Sequence, residues 1–265
     1  MTFPLPPQET VLLFILLFLR VSAMVIVIPV LGENVVPARI KACLVILITF
    51  LIFPTLRIAA PSIQPDWGLI TMGFAMASEI LIGVIIGVTA RFIFAGIQLA
   101  GNVIGIQMGF AMSSVLDPIT RANVLIISEF QYMIATLIYL AVDGHHIFIM
   151  AIADSYRILP PLGMHFFPPS LMQLLLTFYG AIFTTAVKVC APVMAVLLFT
   201  NVALGIVART VPQINVFMVG FPIQVATGLI IFGLTAPLFA QLVQKAISGL
   251  PGQIRAVLQL MAMGF

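Results

Sequence analysis

Few residues in this chain have types and spacing that could do chemistry. Asp143, His145 and His146, with Asp154 further on, carry groups that ligate metal ions. Adjacent histidines after an Asp-Gly step more commonly form a polar turn at a helix end, and no metal is expected there. Ser113 and Ser114, followed by Asp117, supply hydroxyls and a carboxylate, but no histidine stands nearby to activate a nucleophile. There is no Walker loop, and the glycine-rich stretch lacks the strand–loop–helix context of a nucleotide site. Neither catalysis nor a cofactor is expected.

Charges inside apolar runs are the second set: Arg20, Glu79, Glu129, Lys188 and, at the edge of one, Arg209. Ionisable groups at membrane depth mark either an ion or proton path or assembly contacts. Two acids and a lysine so widely separated in sequence do not resemble a relay. Because a buried unpaired charge is costly, these residues are expected to pair, inside the chain or with neighbouring subunits.

The elements that must position these residues are apolar. The 265 residues are 62% hydrophobic and 7% charged, against about 25% charged in soluble domains. With a mean hydropathy of +1.25, the composition is that of a polytopic membrane protein. A net charge of +3 without any run of Lys or Arg gives no reason to expect nucleic acid. Cys43 and Cys190 lie in apolar segments and read as small fillers. The N-terminus has no basic region before its apolar run and no small-residue cleavage site, so a retained first span is expected.

The stretch from Gly96 to Pro118 is organised by Gly101, Gly105 and Gly109, four residues apart. On a helix they form a side-chain-free ridge that lets another backbone approach closely. Alternatively, each glycine costs about 1 kcal/mol of helix propensity. Together with Ser113-Ser114 and Asp117-Pro118 they then make a flexible segment. Non-helical backbone at membrane depth persists only when buried in protein or lining a cavity, so that reading makes the stretch a plug or constriction.

Around it, Thr10 reads as an N-cap to a first span, Val11 to Val30. A second segment, Ala42 to Leu56, is short: 15 residues reach only about 22 Å of the roughly 30 Å hydrocarbon core. Leu69 to Ala90, Ala122 to Val142 and a shorter piece, Ile147 to Ala153, follow. Ser170 to Ala208 and Val216 to Ala240 read as a helical hairpin turning at Arg209 to Asn215, with a mixed tail from Ala246. Basic residues occur at most segment ends, so the charge asymmetry of the loops does not fix orientation. Short, proline-broken and internally charged segments suggest a surface covered largely by protein.

The successive motifs ARIKACLVILITFLIFP, SEILIGVIIG, AGNVIGIQMGFAMSSVLDP, LAVDGHHIFIMAIADSYRILP and ARTVPQINVFMVGFPIQ carry a resemblance to the FliR/SctT family of type III export apparatus proteins. It runs from Pro29 to about Ala240, and the Gly-His-His element favours the flagellar branch. The resemblance implies an all-α membrane protein whose long, kinked hairpins belong to a helical multi-subunit export gate. One copy would stand with five of FliP and four of FliQ. FlhB would wrap the entrance, and FlhA and rod or adaptor proteins would lie near. The gate would sit in the bacterial inner membrane at the flagellar basal body, in contact with lipid, projecting toward the periplasm and conducting unfolded proteins. Residues 1–169 would be a FliP-like part and 170–265 a FliQ-like hairpin and tail. The family's plug maps onto about 101–118. Gly101, Gly105, Gln107, Met108, Gly109, Phe110, Met112, Ser113, Asp117 and Pro118 would plug or line the channel. Pro212, Gln213 and Asn215 would form the hairpin turn.

A secondary solute transporter is the competing expectation, since broken helices and midplane charges also occur there. No convincing internal repeat supports it. An intramembrane enzyme lacks a nucleophile or metal set.

Overall fold

The computed structural model describes residues 7–33, 35–57, 68–110, 126–161, 168–211, 213 and 215–263. The described residues are helical and turn, without a strand: α1 Gln8–Val27, α2 Ala38–Arg57, α3 Leu69–Gln107, α4 Ile126–Ala141, α5 Gly144–Ile158, α6 Pro169–Thr210 and α7 Val216–Ala262. Of these, α1, α3, α6 and α7 are long and apolar enough to cross a membrane, and α4 with α5 adds a fifth if the two count as one broken span. The fold is all-α and of membrane type.

Several boundaries differ from the sequence reading. Pro7, not Thr10, stands at the N-cap of α1; it brings no N–H of its own, and its carbonyl accepts from the Thr10 amide at 2.9 Å. The second helix gains its length by taking Arg39 and Lys41 into its first turn. Lys41 Nζ donates to the Gly32 carbonyl at 2.8 Å. The third helix does not stop at Ala90 but runs on to Gln107. Buried Ala75, Glu79, Ile82, Ile86, Ala90, Phe94, Ile97, Ala100 and Ile104 recur every three or four positions along it, a continuous inward stripe that outweighs the glycine cost. Pro192 lies inside α6, and Pro222, Pro237 and Pro251 lie inside α7. Prolines are tolerated in apolar membrane helices, where neighbouring groups satisfy the freed carbonyls.

Two compact units emerge, both discontinuous in sequence: Met1–Arg91 with Asp143–Phe178 and Gly249–Phe265, and Phe92–Val142 with Tyr179–Ser248. Each takes residues from both sides of 169/170, so the division expected from family resemblance is not a division by compactness. In the first unit, Phe14 of α1 sets its ring edge-on to Phe50 and Phe53 of α2, at 5.4 and 5.6 Å. In the second, Phe94 of α3 meets Tyr132 and Tyr139 of α4 in the same manner. The α6–α7 hairpin is tied by Gln224 Nε2 donating to Asn201 Oδ1, and Asn215 caps α7 by accepting from the Met218 amide at 3.3 Å.

Candidate functional site

Two constellations stand out, one in each unit. The first centres on Arg20, 1% exposed in the middle of α1. Its Nε donates to Glu79 Oε2 at 2.5 Å and its Nη2 to Glu79 Oε1 at 2.9 Å, a two-pronged pair with a carboxylate that is also 1% exposed. Nη1 donates to Ser155 Oγ at 3.0 Å, and Nη2 reaches the Leu159 carbonyl at 3.2 Å. Four hydrogen bonds therefore occupy a group with five N–H donors. The Tyr156 ring lies under the guanidinium carbon at 3.8 Å, while its hydroxyl sits 3.5 Å from Glu79 Oε2.

Local sequence explains how three helices reach one point. On α1, Leu16, Leu17, Arg20, Val21 and Met24 share the buried face. Gly83 follows Glu79 by one turn of α3, and a Cβ there would overlap the Arg20 carbonyl. At Gly87 it would come within 2.8 Å of Val27 Cβ. The two glycines thus let α1 close on α3 until the guanidinium reaches its carboxylate. On α5, Phe148, Ile152, Ser155, Tyr156 and Leu159 form the inward face. The sequence reading missed Ser155 and Tyr156, treating them as the end of a segment. Their three- and four-residue spacing from Ile152 was the available signal. Chemically the cluster is closed, since both charges are matched and packed, leaving no free carboxylate to relay a proton.

The second constellation is the end of α3 in the other unit. A Cβ on Gly101 would overlap Ser128 Cα of α4 and lie 2.8 Å from Gln131 Oε1. Ser128 Oγ donates to the Gln98 carbonyl at 3.0 Å, one turn earlier. At the terminus, Gly109 takes φ +90°. Its amide donates to the Ile106 carbonyl at 3.0 Å and the Phe110 amide donates to Gly105 at 3.1 Å. These paired bonds close a helix at a left-handed residue, a conformation that glycine adopts without strain. Met108, fully buried, fits against Gly228 of α7, where an added Cβ would lie 2.6 Å from its Cγ. The Phe110 ring stands perpendicular to that of Phe221, centroids 6.3 Å apart.

A profile described as Bacterial export proteins, family 1, matches residues 11–250. The chain is 35% identical over 225 residues to flagellar biosynthetic protein FliR of Pectobacterium carotovorum, covering 83% of each chain. It is 35% identical over 219 residues to the Bacillus subtilis protein of that name, covering 82% of this chain and 83% of the other. The Escherichia coli K12 counterpart is 34% identical over 227 residues, 84% and 83% of the two chains. The chain belongs to the FliR family of bacterial export proteins.

For a FliR-family chain, the plug residues expected from sequence divide into three groups. Gly101 and Gly105 are buried inside α3 and Gln107 is its exposed last residue, so the flexible segment does not begin at 101. Met108, Gly109 and Phe110 form the turn just described. Met112, Ser113, Asp117 and Pro118 lie outside the described residues. Here the two readings of the glycine ladder separate: Gly101 serves helix packing and Gly109 alone breaks the helix.

The intramembrane charges divide as well. Arg20 and Glu79 find each other, whereas Glu129, Lys188 and Arg209 are exposed and make no ion pair among the described residues. Arg209 lies in the last turn of α6, where a cation complements the helix dipole. In the expected hairpin turn, Gln213 and Asn215 are exposed, and Pro212 lies outside the described residues.

Asp143, His145 and His146 bring their ligating atoms within 4.8 Å of one another, with His145 Nε2 3.9 Å from Asp143 Oδ1. They sit on the first turn of α5, whose positive end opposes a cation. Asp154 is drawn elsewhere, to Arg255 at 3.3 Å and Arg157 at 3.8 Å.

Proposed function

We propose that this chain is a structural, non-catalytic core subunit of the flagellar type III export gate. In this reading it assembles as one copy with five FliP and four FliQ subunits. FlhB, FlhA and rod or adaptor proteins are its neighbours, and unfolded flagellar proteins pass through the conduit. Residues 1–169 play the FliP-like part and 170–265 the FliQ-like part. The gate projects from the inner membrane toward the periplasm, and the segment following Gly109 stoppers it at rest.

The observation that carries the reading is the family match over residues 11–250, to relatives named for flagellar biosynthesis. Several apolar helices fit an inner-membrane location for such a protein. The geometry supports a subunit that is incomplete alone. Phe183, Phe199, Val202, Ile206, Ile230 and Leu234 are each more than half exposed along α6 and α7. Lys188 lies exposed on that hairpin and suits a partner carboxylate. Met108 and Phe110 at the base of the stopper are apolar, and the unbranched methionine is pliable, as a seal requires.

The test is coexpression of the tagged chain with FliP and FliQ homologues. A gate subunit copurifies with both, and Lys188→Met lowers their recovery. A solute transporter runs as a monomer or dimer without them. Deleting Ala111 to Ser114 leaves the complex assembled but makes membrane vesicles leaky to protons. Unchanged permeability in an assembled deletion complex would remove the stopper assignment.

A further inference from the structure

We infer that Asp143, His145 and His146, at the entry to α5, form a binding site for a divalent transition-metal ion of the zinc class. The inference stands apart from the export-gate reading and departs from the plain polar turn expected from sequence. All three residues belong to one compact unit. Each offers one ligating atom, and the three atoms lie within 4.8 Å of one another.

Three features separate this group from an ordinary turn at a helix end. Asp143 stands at the N-cap of α5, where a carboxylate commonly accepts from the first free amides, yet its side chain makes no capping bond. Its Oδ1 lies instead 3.9 Å from His145 Nε2, too far for a hydrogen bond and close enough to share an ion. His145 Nδ1 is buried and has no hydrogen-bond partner, so neither nitrogen of that ring is engaged among the described residues. Finally, adjacent residues on a helix do not face each other, but the His145 and His146 ring centroids stand only 5.0 Å apart.

Two imidazoles and a carboxylate are a zinc donor set, with water completing the shell. Bonded at about 2.0–2.1 Å, tetrahedral ligand atoms stand about 3.4 Å apart, so capture asks for side-chain rotations of about an ångström. Asp143 and His146 are exposed and His145 is half-exposed, which leaves those rotations open. Nitrogen donors select zinc, cobalt or nickel over magnesium and calcium, which favour oxygen shells. The positive end of α5 amounts to about half a unit charge, and the Asp143 carboxylate offsets it with a full negative one. A bound ion ties Asp143 to the first turn of α5, the helix that carries Ser155 and Tyr156 to Arg20.

The experiment titrates zinc chloride into the full chain in mild detergent, freed of metal with a chelator and carrying a histidine-free tag. Calorimetry should show one saturable equivalent, and zinc should raise the melting temperature with the logarithm of its free concentration. Magnesium in large excess should do neither. His145→Gln, His146→Gln and Asp143→Asn should each weaken zinc binding at least about tenfold. Asparagine also tolerates the left-handed backbone at 143, where φ is +53°, so that variant removes the charge and keeps the turn. The chain has one other histidine, His165, and His165→Gln should bind as the parent does. Melting of each variant in chelator, compared with the parent, shows that it is folded. If His145→Gln fails to fold, His146→Gln on the exposed ring decides the question. Binding that survives any one of the three substitutions in a folded chain overturns the site, as does binding lost in His165→Gln or matched by magnesium. None of these results bears on copurification with FliP and FliQ homologues, so the site and the gate reading stand or fall separately.

Discussion

The two constellations hold their helices together by opposite means. At Arg20, charge and geometry do everything: a two-pronged ion pair, a hydroxyl, a carbonyl and a tyrosine face complete one guanidinium. At the end of α3, shape predominates: bare backbone at Gly101 and Gly228 admits Ser128 and Met108, with the Ser128 Oγ–Gln98 carbonyl hydrogen bond beside the first. A dry ion pair tolerates little displacement, because each step apart leaves a charge without its partner in a low-dielectric setting. A side chain in a notch loses only dispersion contacts when it shifts. The first therefore resists displacement more strongly than the second.

The largest break in that comparison comes from the ion pair. Glu79→Gln leaves the guanidinium buried against a neutral amide, and a cost of about 3–5 kcal/mol is expected. Thermal melting of the purified chain in mild detergent measures it. Replacing both partners, Arg20→Leu with Glu79→Leu, should cost less than either single change because no charge is stranded. A Glu79→Gln chain that melts like the parent would mean that the pair does not hold the frame.

Next in size is the steric side. Gly101→Leu must push on Ser128 Cα, which is backbone and cannot rotate away, so a loss of about 1–3 kcal/mol or more is expected. Gly73, on the same helix but with open space around it, provides the contrast. There Gly→Ala should stabilise by up to about 1 kcal/mol through helix propensity alone. Opposite signs at the two sites, read by the same melting assay, would show that packing sets the value of a glycine in α3. Equal signs would mean that propensity governs both.

These contrasts also explain what was legible in the sequence. Arg20 could be recognised as a residue that must face protein, because a guanidinium in an apolar run has few other options. Its partner could not be identified, since Glu79 stands 59 residues away and only the close approach at Gly83 brings the two helices together. Ser155 and Tyr156 were hidden for a local reason: a polar SYR step reads as the end of a segment, and nothing in it announces a charge to be met. The glycine ladder misled in the other direction. Propensity treats Gly101, Gly105 and Gly109 alike, but the first faces another helix, the second supplies a carbonyl to Phe110, and only the third takes positive φ. Ser170 to Ala208 and Val216 to Ala240 were legible as long helices despite their prolines, because a propensity measured in water carries less weight in an apolar environment.

A smaller effect sharpens the account of the charged cluster. Tyr156→Phe keeps the ring beneath the guanidinium and removes only a hydroxyl 3.5 Å from Glu79, so a change of no more than about 1 kcal/mol is expected. Tyr156→Leu removes the face as well and should cost about 2 kcal/mol more, the value of a desolvated cation–π contact. If the two variants melt together, the stacking at 3.8 Å adds nothing beyond filling space.

The smallest effect tests whether burial, and not charge pairing as such, makes the Arg20 site decisive. Arg255 of α7 faces Asp154 of α5 at 3.3 Å, a second arginine–carboxylate pair in the same unit, but with the arginine side chain 66% exposed. Water and salt screen such a pair, and holding two long side chains together costs rotamer freedom. Arg157, one turn along from Asp154 at 3.8 Å, is already in place as a substitute cation. Arg255→Ala should therefore change stability by less than about 1 kcal/mol, and by less still in high salt. The groups are chemically the same as at Arg20 and Glu79, so a loss comparable to that of Glu79→Gln would trace the strength of both sites to charge alone and leave exclusion of water without a role.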